Sequence, residues 1–230
     1  MNKIFIGYDS KEEVAFQVCK YSIESRHISN QITIEALKQP LLRELGIYNR
    51  PIDQLASTEF SLTRFLTPYL SNYQGFSLFL DCDFIVLEDI QKLFDSIDKS
   101  KAVSVVKHDY NPSNKTKMNG LAQSTYPRKN WSSLMLFNNE HPSNIKLDLQ
   151  AVNNETPQYL HRFSWLNDDE IGEISHKWNY LSGWYNDIER PSAIHYTEGG
   201  PWFKEHVDCD FAKNWLYEYY CMKENRGINR

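Results

Sequence analysis

Short apolar runs alternate along this chain with amphipathic segments, a pattern typical of α/β proteins. Strands are predicted at residues 3–7, 31–35, 76–86, 102–106, 132–138 and 193–196. Helices are predicted from residue 10, where Ser10 and Glu13 fit a capping box, from residue 58, and at 90–97, 157–165 and about 208–224. Residues 37–49 contain Pro40 and Gly46 and are predicted to be irregular.

Composition narrows the class of protein. The 230 residues are 41% hydrophobic and 14% aromatic, which fits one folded domain spanning residues 1–230. The net charge of −5 argues against nucleic-acid binding. The four cysteines have no paired spacing, so neither a zinc site nor a redox pair is indicated. No apolar run reaches membrane-spanning length and no signal peptide is recognised, so the expected location is the cytoplasm.

An apolar stretch at residues 76–86 contains two carboxylates, Asp81 and Asp83, separated by Cys82. On one continuous strand these carboxylates would point to the same face. Two such groups at the end of a buried strand repel each other, and a hard divalent cation such as Mg²⁺ or Mn²⁺ relieves the repulsion. On its own, Asp-x-Asp also fits an ordinary strand end that faces solvent.

Several other segments favour a ligand site. Tyr8 and Asp9 follow the first strand, at the place where α/β sheets bind ligands, although Asp9 also suits a turn. The adjacent Gly199 and Gly200 allow the backbone to approach a ligand closely. Residues 111–129 form a long polar segment that is predicted to be a loop over the site.

The C-terminal helix has an aromatic stripe made of Phe211, Trp215 and Tyr219. Packing into the core is the favoured interpretation of this stripe. A weak peripheral contact with a membrane surface is the alternative.

The order of these motifs resembles the nucleotide-sugar glycosyltransferases of GT-A fold, in particular family 8, which includes glycogenin and bacterial lipopolysaccharide glycosyltransferases. The resemblance extends from residue 3 to about residue 203. It implies a Rossmann-like α/β fold whose central mixed, mainly parallel sheet is flanked by helices. The motifs that carry it are Ile6-Gly7-Tyr8-Asp9, Thr63-Arg64-Phe65, Leu80-Asp81-Cys82-Asp83, residues 131–138, Asp168-Asp169-Glu170-Ile171, Trp178-Asn179 and residues 195–202.

Residue by residue, the resemblance implies a metal site and a donor site. Asp81, Asp83 and His195 match the metal ligands, and this donor set suits Mn²⁺, with Mg²⁺ as the alternative. The remaining matches are to donor-binding positions: Tyr8 and Asp9 at the base, Arg64 at the phosphates and sugar, Asp81 also at the ribose, Ser132 and Ser133 in the sugar pocket, and Gly199 and Gly200 in the terminal motif. Asp168 and Asp169 match the stretch below the anomeric carbon and are the predicted catalytic groups.

The chain also departs from the family pattern. Gly200 stands where relatives commonly have a Lys that contacts the diphosphate, and Lys204 or His206 is the candidate replacement. Asp169 stands where relatives often have Gln. The implied reaction is transfer of a sugar from a nucleotide donor, taken as a UDP-sugar, to a glycan or other hydroxyl acceptor, with retention of configuration.

Three alternatives were weighed. A phosphatase of the haloacid-dehalogenase type would use Asp81 as nucleophile, Asp83 as acid/base and Asp168 with Asp169 as the Mg²⁺ site. A sugar-1-phosphate nucleotidyltransferase lacks its expected glycine-rich signature here. A GT-A-like domain that binds nucleotide or glycan without turnover is the non-enzymatic alternative.

Overall fold

The structure is a computed structural model that describes residues 2–27, 32–53, 56–108, 128–187 and 190–228. The predicted loop at 111–129 lies outside the described residues, apart from its last two positions.

In the part of the chain that the structure describes, nine strands form two sheets. In chain order they are β1 (Asn2–Gly7), β2 (Ile32–Leu37), β3 (Phe76–Leu80), β4 (Phe84–Val86), β5 (Val103–Val105), β6 (Leu134–Asn138), β7 (Ile171–Glu173), β8 (Tyr180–Leu181) and β9 (Ala193–His195). The main sheet has the order β2-β1-β3-β6-β5-β7, and the small sheet has the order β4-β9-β8.

The main sheet is mixed and mainly parallel. β6 runs antiparallel to its neighbours β3 and β5, whereas the pairs β1–β2, β1–β3 and β5–β7 are parallel. The strands are short, apolar and mostly buried, as expected when helices and loops cover both faces of a sheet. The predicted α/β class is confirmed.

The predicted strand at 76–86 is wrong as a single element. β3 ends at Leu80 and pairs with β1 and β6, whereas β4 begins at Phe84 and pairs with β9. The segment Asp81-Cys82-Asp83 is therefore the link between two sheets. Its two carboxylates lie close together because the chain turns there, and the alternation of one strand is not the cause.

Seven α-helices lie among the described residues: α1 (Glu13–Glu24), α2 (Gln39–Glu44), α3 (Thr67–Leu70), α4 (Gln91–Asp95), α5 (Leu149–Asn154), α6 (Pro157–His161) and α7 (Ala212–Ile228). The prediction of irregular structure at 37–49 is wrong for residues 39–44, which form α2, and holds for residues 45–49. Pro40 lies in the first turn of α2, where a missing N–H costs nothing. Pro68 likewise lies in the first turn of α3.

The N-terminal cap of the first helical segment also differs from the prediction. Asp9, and not Ser10, accepts a hydrogen bond from the backbone N–H of Lys11 and caps a short 3-10 helix, Ser10–Glu12, that leads into α1. Glu12 is thereby placed at the junction between the 3-10 helix and α1.

A second, smaller core joins the small sheet to α1 and α7. Trp215 of α7 is buried there with Ile85 and Tyr196, which supports core packing as the role of the aromatic stripe. Arg26, two residues after the end of α1, forms a bidentate ion pair with Glu218 of α7. Among the described residues, none of the helices is both long and apolar enough to cross a bilayer.

Candidate metal and nucleotide site

Several strand ends meet at one edge of the main sheet. β1 ends there at Gly7, β3 at Leu80 and β5 at Val105, and the antiparallel β6 begins there at Leu134. We call this edge the carboxyl edge and the opposite one the amino edge. Ligands of α/β sheets bind beyond the carboxyl ends of strands, so the carboxyl edge is the expected place for a site.

Asp81, Asp83 and His195 form a compact cluster at this edge. Their ligand atoms all lie within 4.8 Å of one another, and His195 Nε2 is 3.3 Å from Asp83 Oδ1. The backbone holds them in place: Asp81 N donates to Ser133 O at 3.0 Å, and Tyr196 N donates to Asp83 O at 2.9 Å. β9 carries His195 beside Phe84, and the two rings stack at 4.3 Å.

A chain of hydrogen bonds fixes the orientation of His195. Its Nδ1 lies 2.9 Å from Asn179 Oδ1. The Asn179 amide donates to Ser133 Oγ at 2.8 Å, which in turn donates to Asn130 O at 2.7 Å. Because the Asn179 amide nitrogen is used as a donor, its oxygen accepts from His195 Nδ1–H. The lone pair of Nε2 is then directed to the two carboxylates, as a metal ligand requires.

Arg64 is the cation beside the cluster. Its guanidinium is buried and lies 2.8 Å from Asp81 Oδ1, and it donates to Ser132 O at 2.9 Å. The Ser132 hydroxyl hydrogen-bonds His161 Nδ1 at 2.9 Å. Arg64 therefore connects the first carboxylate to the start of β6, where the sugar pocket was predicted.

Negative charge exceeds positive charge at the site. Burial and the neighbouring Asp83 raise the pKa of Asp81 to about 7, although the Arg64 guanidinium opposes this shift. Burial, Asp83 and Asp9 raise the pKa of Glu12 to about 8. Glu12 also accepts a hydrogen bond from Trp202 Nε1 at 3.1 Å. The pKa values of both carboxyls are raised because burial and their mutual repulsion outweigh the attraction of the Arg64 guanidinium.

The residues present fit a divalent cation. Asp81 Oδ1 and Asp83 Oδ1 are buried, and apart from the ion pair of Asp81 with Arg64 and the contact of Asp83 with His195 neither oxygen has a hydrogen-bond partner among the described residues. Two ligands of one Mg²⁺ lie up to about 4.2 Å apart, so the cluster needs only small side-chain adjustments to bind one ion. Two carboxylate oxygens with one imidazole nitrogen are ligands that suit Mn²⁺ or Mg²⁺.

Tyr8 and Asp9 lie at the end of β1 on the same edge. Asp9 is buried, and its two oxygens accept from Lys11 N at 2.9 Å and from Glu59 N at 3.1 Å. The Tyr8 ring lies 4.4 Å from Lys38 Nζ, in cation–π geometry. Each Asp9 oxygen keeps a second lone pair that can accept a further hydrogen bond.

The glycine pair has a steric explanation. Gly199 adopts φ +111°, and a Cβ at Gly200 would lie 2.0 Å from the Trp202 ring. The placement of Trp202 therefore excludes the Lys that relatives commonly have at this position. Of the two candidate replacements, His206 packs its ring against Gly199, whereas Lys204 is exposed.

The structure does not bring Asp168 and Asp169 to this site. They precede β7, and Ile171 of β7 is in register with Val103, which is aligned through β6 with Ser77 at the amino end of β3. Both aspartates thus lie at the amino edge. Asp168 is 88% exposed and pairs with Arg128. The geometry does not support the predicted catalytic role of these two carboxylates.

Sequence reasoning missed three residues that the structure places at or around the cluster: Glu12, Asn179 and His161. The sequence pointed to Asn179, because Trp178-Asn179 is one of the motifs that carry the resemblance, but it gave no role for this residue. Glu12 lies within the helix predicted from residue 10, and no role at a site followed from that position. His161 lies in a helix whose contact with Ser132 depends on tertiary packing.

Comparisons with known proteins agree with this architecture. No family model matches the chain. Protein CDI of Arabidopsis thaliana is 50% identical over 233 residues, which cover 99% of this chain and 88% of that protein.

Solved structures with low sequence identity share the fold. Glycosyltransferase GlyE of Streptococcus pneumoniae has a TM-score of 0.62 at 14% identity over 99% of this chain, which spans only 63% of GlyE. The galactosyltransferase LgtC, solved with donor and acceptor sugar analogues, has a TM-score of 0.62 at 12% identity and 96% coverage of both chains. The bifunctional WbbM matches at 0.63 and 15% identity, over 94% of this chain and 49% of its own. The predicted GT-A fold is thus confirmed, and the chain belongs to the family of Protein CDI.

Proposed function

We propose that this protein is a metal-dependent glycosyltransferase that moves a sugar from a nucleoside-diphosphate donor, a UDP-sugar, to a hydroxyl acceptor of glycan type. The observation that carries the proposal is the Asp81, Asp83 and His195 cluster, whose ligand atoms lie within 4.8 Å of one another at the carboxyl edge of a GT-A sheet. Solved structures with this fold include the glycosyltransferases GlyE and LgtC, which supports the proposal.

Each residue of the site has a task in this proposal. Asp81, Asp83 and His195 would hold Mn²⁺ or Mg²⁺, and the bound ion would supply Lewis-acid stabilisation of the charge on the diphosphate leaving group. Arg64 adds a fixed positive charge in a buried setting, where electrostatic stabilisation is strongest. Asn179 keeps His195 in the ligating tautomer.

The donor would lie along the carboxyl edge. Asp9, with Tyr8 beside it, accepts an N–H of the base, and Ser132 with Ser133 lines the sugar pocket. Gly199 and Gly200 let the terminal loop pass close to the donor. We further propose retention of configuration, which rests on the resemblance to family 8.

The phosphatase alternative loses its geometric basis. It requires Asp168 and Asp169 to bind the Mg²⁺ used by the Asp81 nucleophile, yet they lie at the amino edge. Asp81 is also ion-paired with Arg64. A binding domain without turnover is separated from an enzyme by the experiment below.

The test is a calorimetric and thermal-shift titration with UDP, GDP and CDP, with and without MnCl₂. Wild-type protein is compared with Asp83→Ala and His195→Ala, and with the controls Asp169→Ala and His141→Ala. We expect Mn²⁺-dependent stabilisation by UDP, about 2.7 kcal/mol at a concentration 100 times Kd, which the first two substitutions abolish and the controls retain.

Turnover is then measured as release of UDP from a panel of UDP-sugars. Nucleotide binding with no release of UDP from any donor, with or without acceptor glycosides, would identify a binding domain. No response to any nucleotide would refute the proposed function altogether.

A further inference from the structure

The strand order arranges the proposed donor site in a line. Asp9 follows β1, Asp81 follows the adjacent β3, and Ser133 precedes β6, the next strand across. Neighbouring strands are about 4.8 Å apart, so these positions form a row along the carboxyl edge. The next strand in the row is β5, and His108 comes three residues after its last residue, Val105.

His108 is buried, with 6% of its surface exposed. Its Nδ1 lies 2.8 Å from Tyr185 Oη, and the two rings are stacked with centroids 5.9 Å apart. Its Nε2 is buried and has no hydrogen-bond partner among the described residues. A buried polar atom without a partner is costly and therefore points to a missing ligand.

The charge state of His108 narrows the kind of ligand. Burial lowers the pKa of His108 to about 3, with a further contribution from the neighbouring His195 and His176. The imidazole is therefore neutral, and it is suited to a neutral polar partner such as a hydroxyl more than to a phosphate.

The surroundings of His108 fit a sugar. Tyr185 also contacts the His176 ring, with centroids 5.5 Å apart, and His176 Nε2 lies 2.9 Å from Asp187 Oδ2. The side chains of His176 and Asp187 are 41% and 54% exposed. Aromatic rings beside a few polar groups match a pyranose, which has apolar C–H faces and a rim of hydroxyls.

We propose that His108 Nε2 hydrogen-bonds a hydroxyl of a pyranose acceptor, and that Tyr185 is the positioning residue that holds the imidazole. This inference rests on the proposed function, because the donor sugar is taken to occupy the adjacent position at Ser132 and Ser133. The acceptor then lies one strand farther along the carboxyl edge, beside the sugar to be transferred.

Two substitutions separate the two ring nitrogens. His108→Gln keeps an N–H close to the position of Nε2, whereas His108→Asn reproduces only the Nδ1 side. Tyr185→Phe removes the orienting hydroxyl and keeps the ring. The matched control is His141→Asn, which makes the same chemical change near the amino edge, at a helix N-cap where Asn is well tolerated.

The first measurement needs no turnover. The imidazole ¹⁵N signals are recorded while methyl β-glucopyranoside, β-galactopyranoside or β-xylopyranoside is added, with UDP and MgCl₂ present. We expect at least one of these sugars to shift the Nε2 signal of His108 in a saturable manner.

The second measurement separates donor from acceptor. The assay uses a UDP-sugar as donor and, as acceptor, the glycoside that shifts the His108 signal. We expect His108→Asn to raise the acceptor KM about 5- to 10-fold, because a buried hydrogen bond is lost. His108→Gln should recover most of this loss, and Tyr185→Phe should raise KM about 3-fold. Donor hydrolysis without acceptor and the donor KM should change less than 2-fold in all variants.

The possible failures are distinct. If nucleotide binds but none of the glycosides shifts the His108 signal, the inference is wrong and the proposed function stands. Equal losses in donor hydrolysis and transfer in His108→Asn would place His108 on the donor side and also refute it. If a glycoside shifts the signal but no nucleotide binds, the sugar site stands and the proposed function fails.

Discussion

The protein has two pairs of aspartates near the ends of strands, and the two pairs differ in almost every physical respect. Asp81 and Asp83 lie at the carboxyl edge, with side chains 15% and 19% exposed, beside a buried arginine and a buried histidine. Asp168 and Asp169 lie at the amino edge, and Asp168 is 88% exposed. Similar local sequence thus produces a charged cluster that needs a cation in one place and a solvated acidic turn in the other.

The cause of this difference is the position of each pair relative to the strands beside it. The segment that contains Asp81 leaves the end of β3 and immediately enters β4, so it is enclosed between two sheets. Asp168 and Asp169 form a single 3-10 turn before β7, an edge strand. Lys101 Nζ donates to Asp169 O there, which ties the backbone of the turn to the surface.

The largest expected effect is on donor turnover, and it should differ between the two aspartate pairs. Asp81→Asn should lower donor turnover about 1000-fold or more, because a neutral amide is a poor ligand and the leaving diphosphate is no longer neutralised. The double variant Asp168→Asn with Asp169→Asn should stay within about 2-fold of wild type. Release of UDP at saturating donor measures both.

An equal loss in the double variant would show that the amino-edge pair takes part in catalysis, as the sequence predicted. The structure would then need a large rearrangement to bring the two edges to one substrate.

The second prediction compares the arginines that accompany the two pairs. Arg64→Met removes a buried cation from between Asp81 and Ser132 O, and should cost about 3 kcal/mol in the free energy of unfolding, since it leaves a buried carboxylate unpaired. Arg128→Met removes the partner of the exposed Asp168 and should cost less than about 1 kcal/mol. Urea unfolding at pH 7.5 with EDTA measures both values.

Adding MnCl₂ tests the same prediction in a second way. The metal should restore part of the stability lost in Arg64→Met, because it supplies positive charge to the same carboxylates, and should leave the Arg128→Met difference unchanged. If Arg64→Met unfolds at the same urea concentration as wild type without metal, Asp81 is not ionised in the free protein.

Much of this arrangement could be predicted from the sequence, because strands and buried carboxylates have local signatures. The ligand set Asp81, Asp83 and His195 followed from the order of motifs, and the structure brings those three residues together. The break between β3 and β4 has no such signature. Residues on both sides of it are apolar and buried, and it depends on pairing with β9, more than 100 residues away.

The misplaced residues share a physical reason. Whether an acidic pair faces the site depends on which end of its strand it occupies and on how that strand is paired, as Asp168 and Asp169 show. Glu12 lies near the cluster because Asp9 caps the 3-10 turn that contains it, and because Trp202 Nε1, in a loop 190 residues later, donates a hydrogen bond to the Glu12 carboxylate. The hydrophobic periodicity of the sequence predicts neither how a strand is paired nor which distant residues come into contact.

The smallest expected effect concerns Glu12, a carboxyl that lies near Asp9, Asp81 and Asp83 at the carboxyl edge. Its pKa is about 8 in the folded protein and about 4.5 when unperturbed. Between these values the folded state holds a proton that the unfolded state has lost, so the contribution of Glu12 to stability is complete below pH 4.5 and is lost as pH rises to 8. Glu12→Gln removes this dependence and still offers an oxygen to Trp202. The two pKa values alone correspond to about 4 kcal/mol between pH 5 and pH 8.5. Because Glu12 is partly exposed to solvent, which screens its charge, we expect Glu12→Gln to stabilise the metal-free protein by about half of this, roughly 2 kcal/mol, at pH 8.5 relative to pH 5.

Urea unfolding of wild type and Glu12→Gln from pH 5 to 8.5, with EDTA present, measures this effect. The control is Glu44→Gln at the exposed end of α2, whose difference from wild type should be the same at every pH. A flat difference for Glu12→Gln as well would mean that Glu12 is ionised like a surface carboxylate. Its charge would then be present at the carboxyl edge at neutral pH without being coupled to burial or to the charges of Asp81 and Asp83.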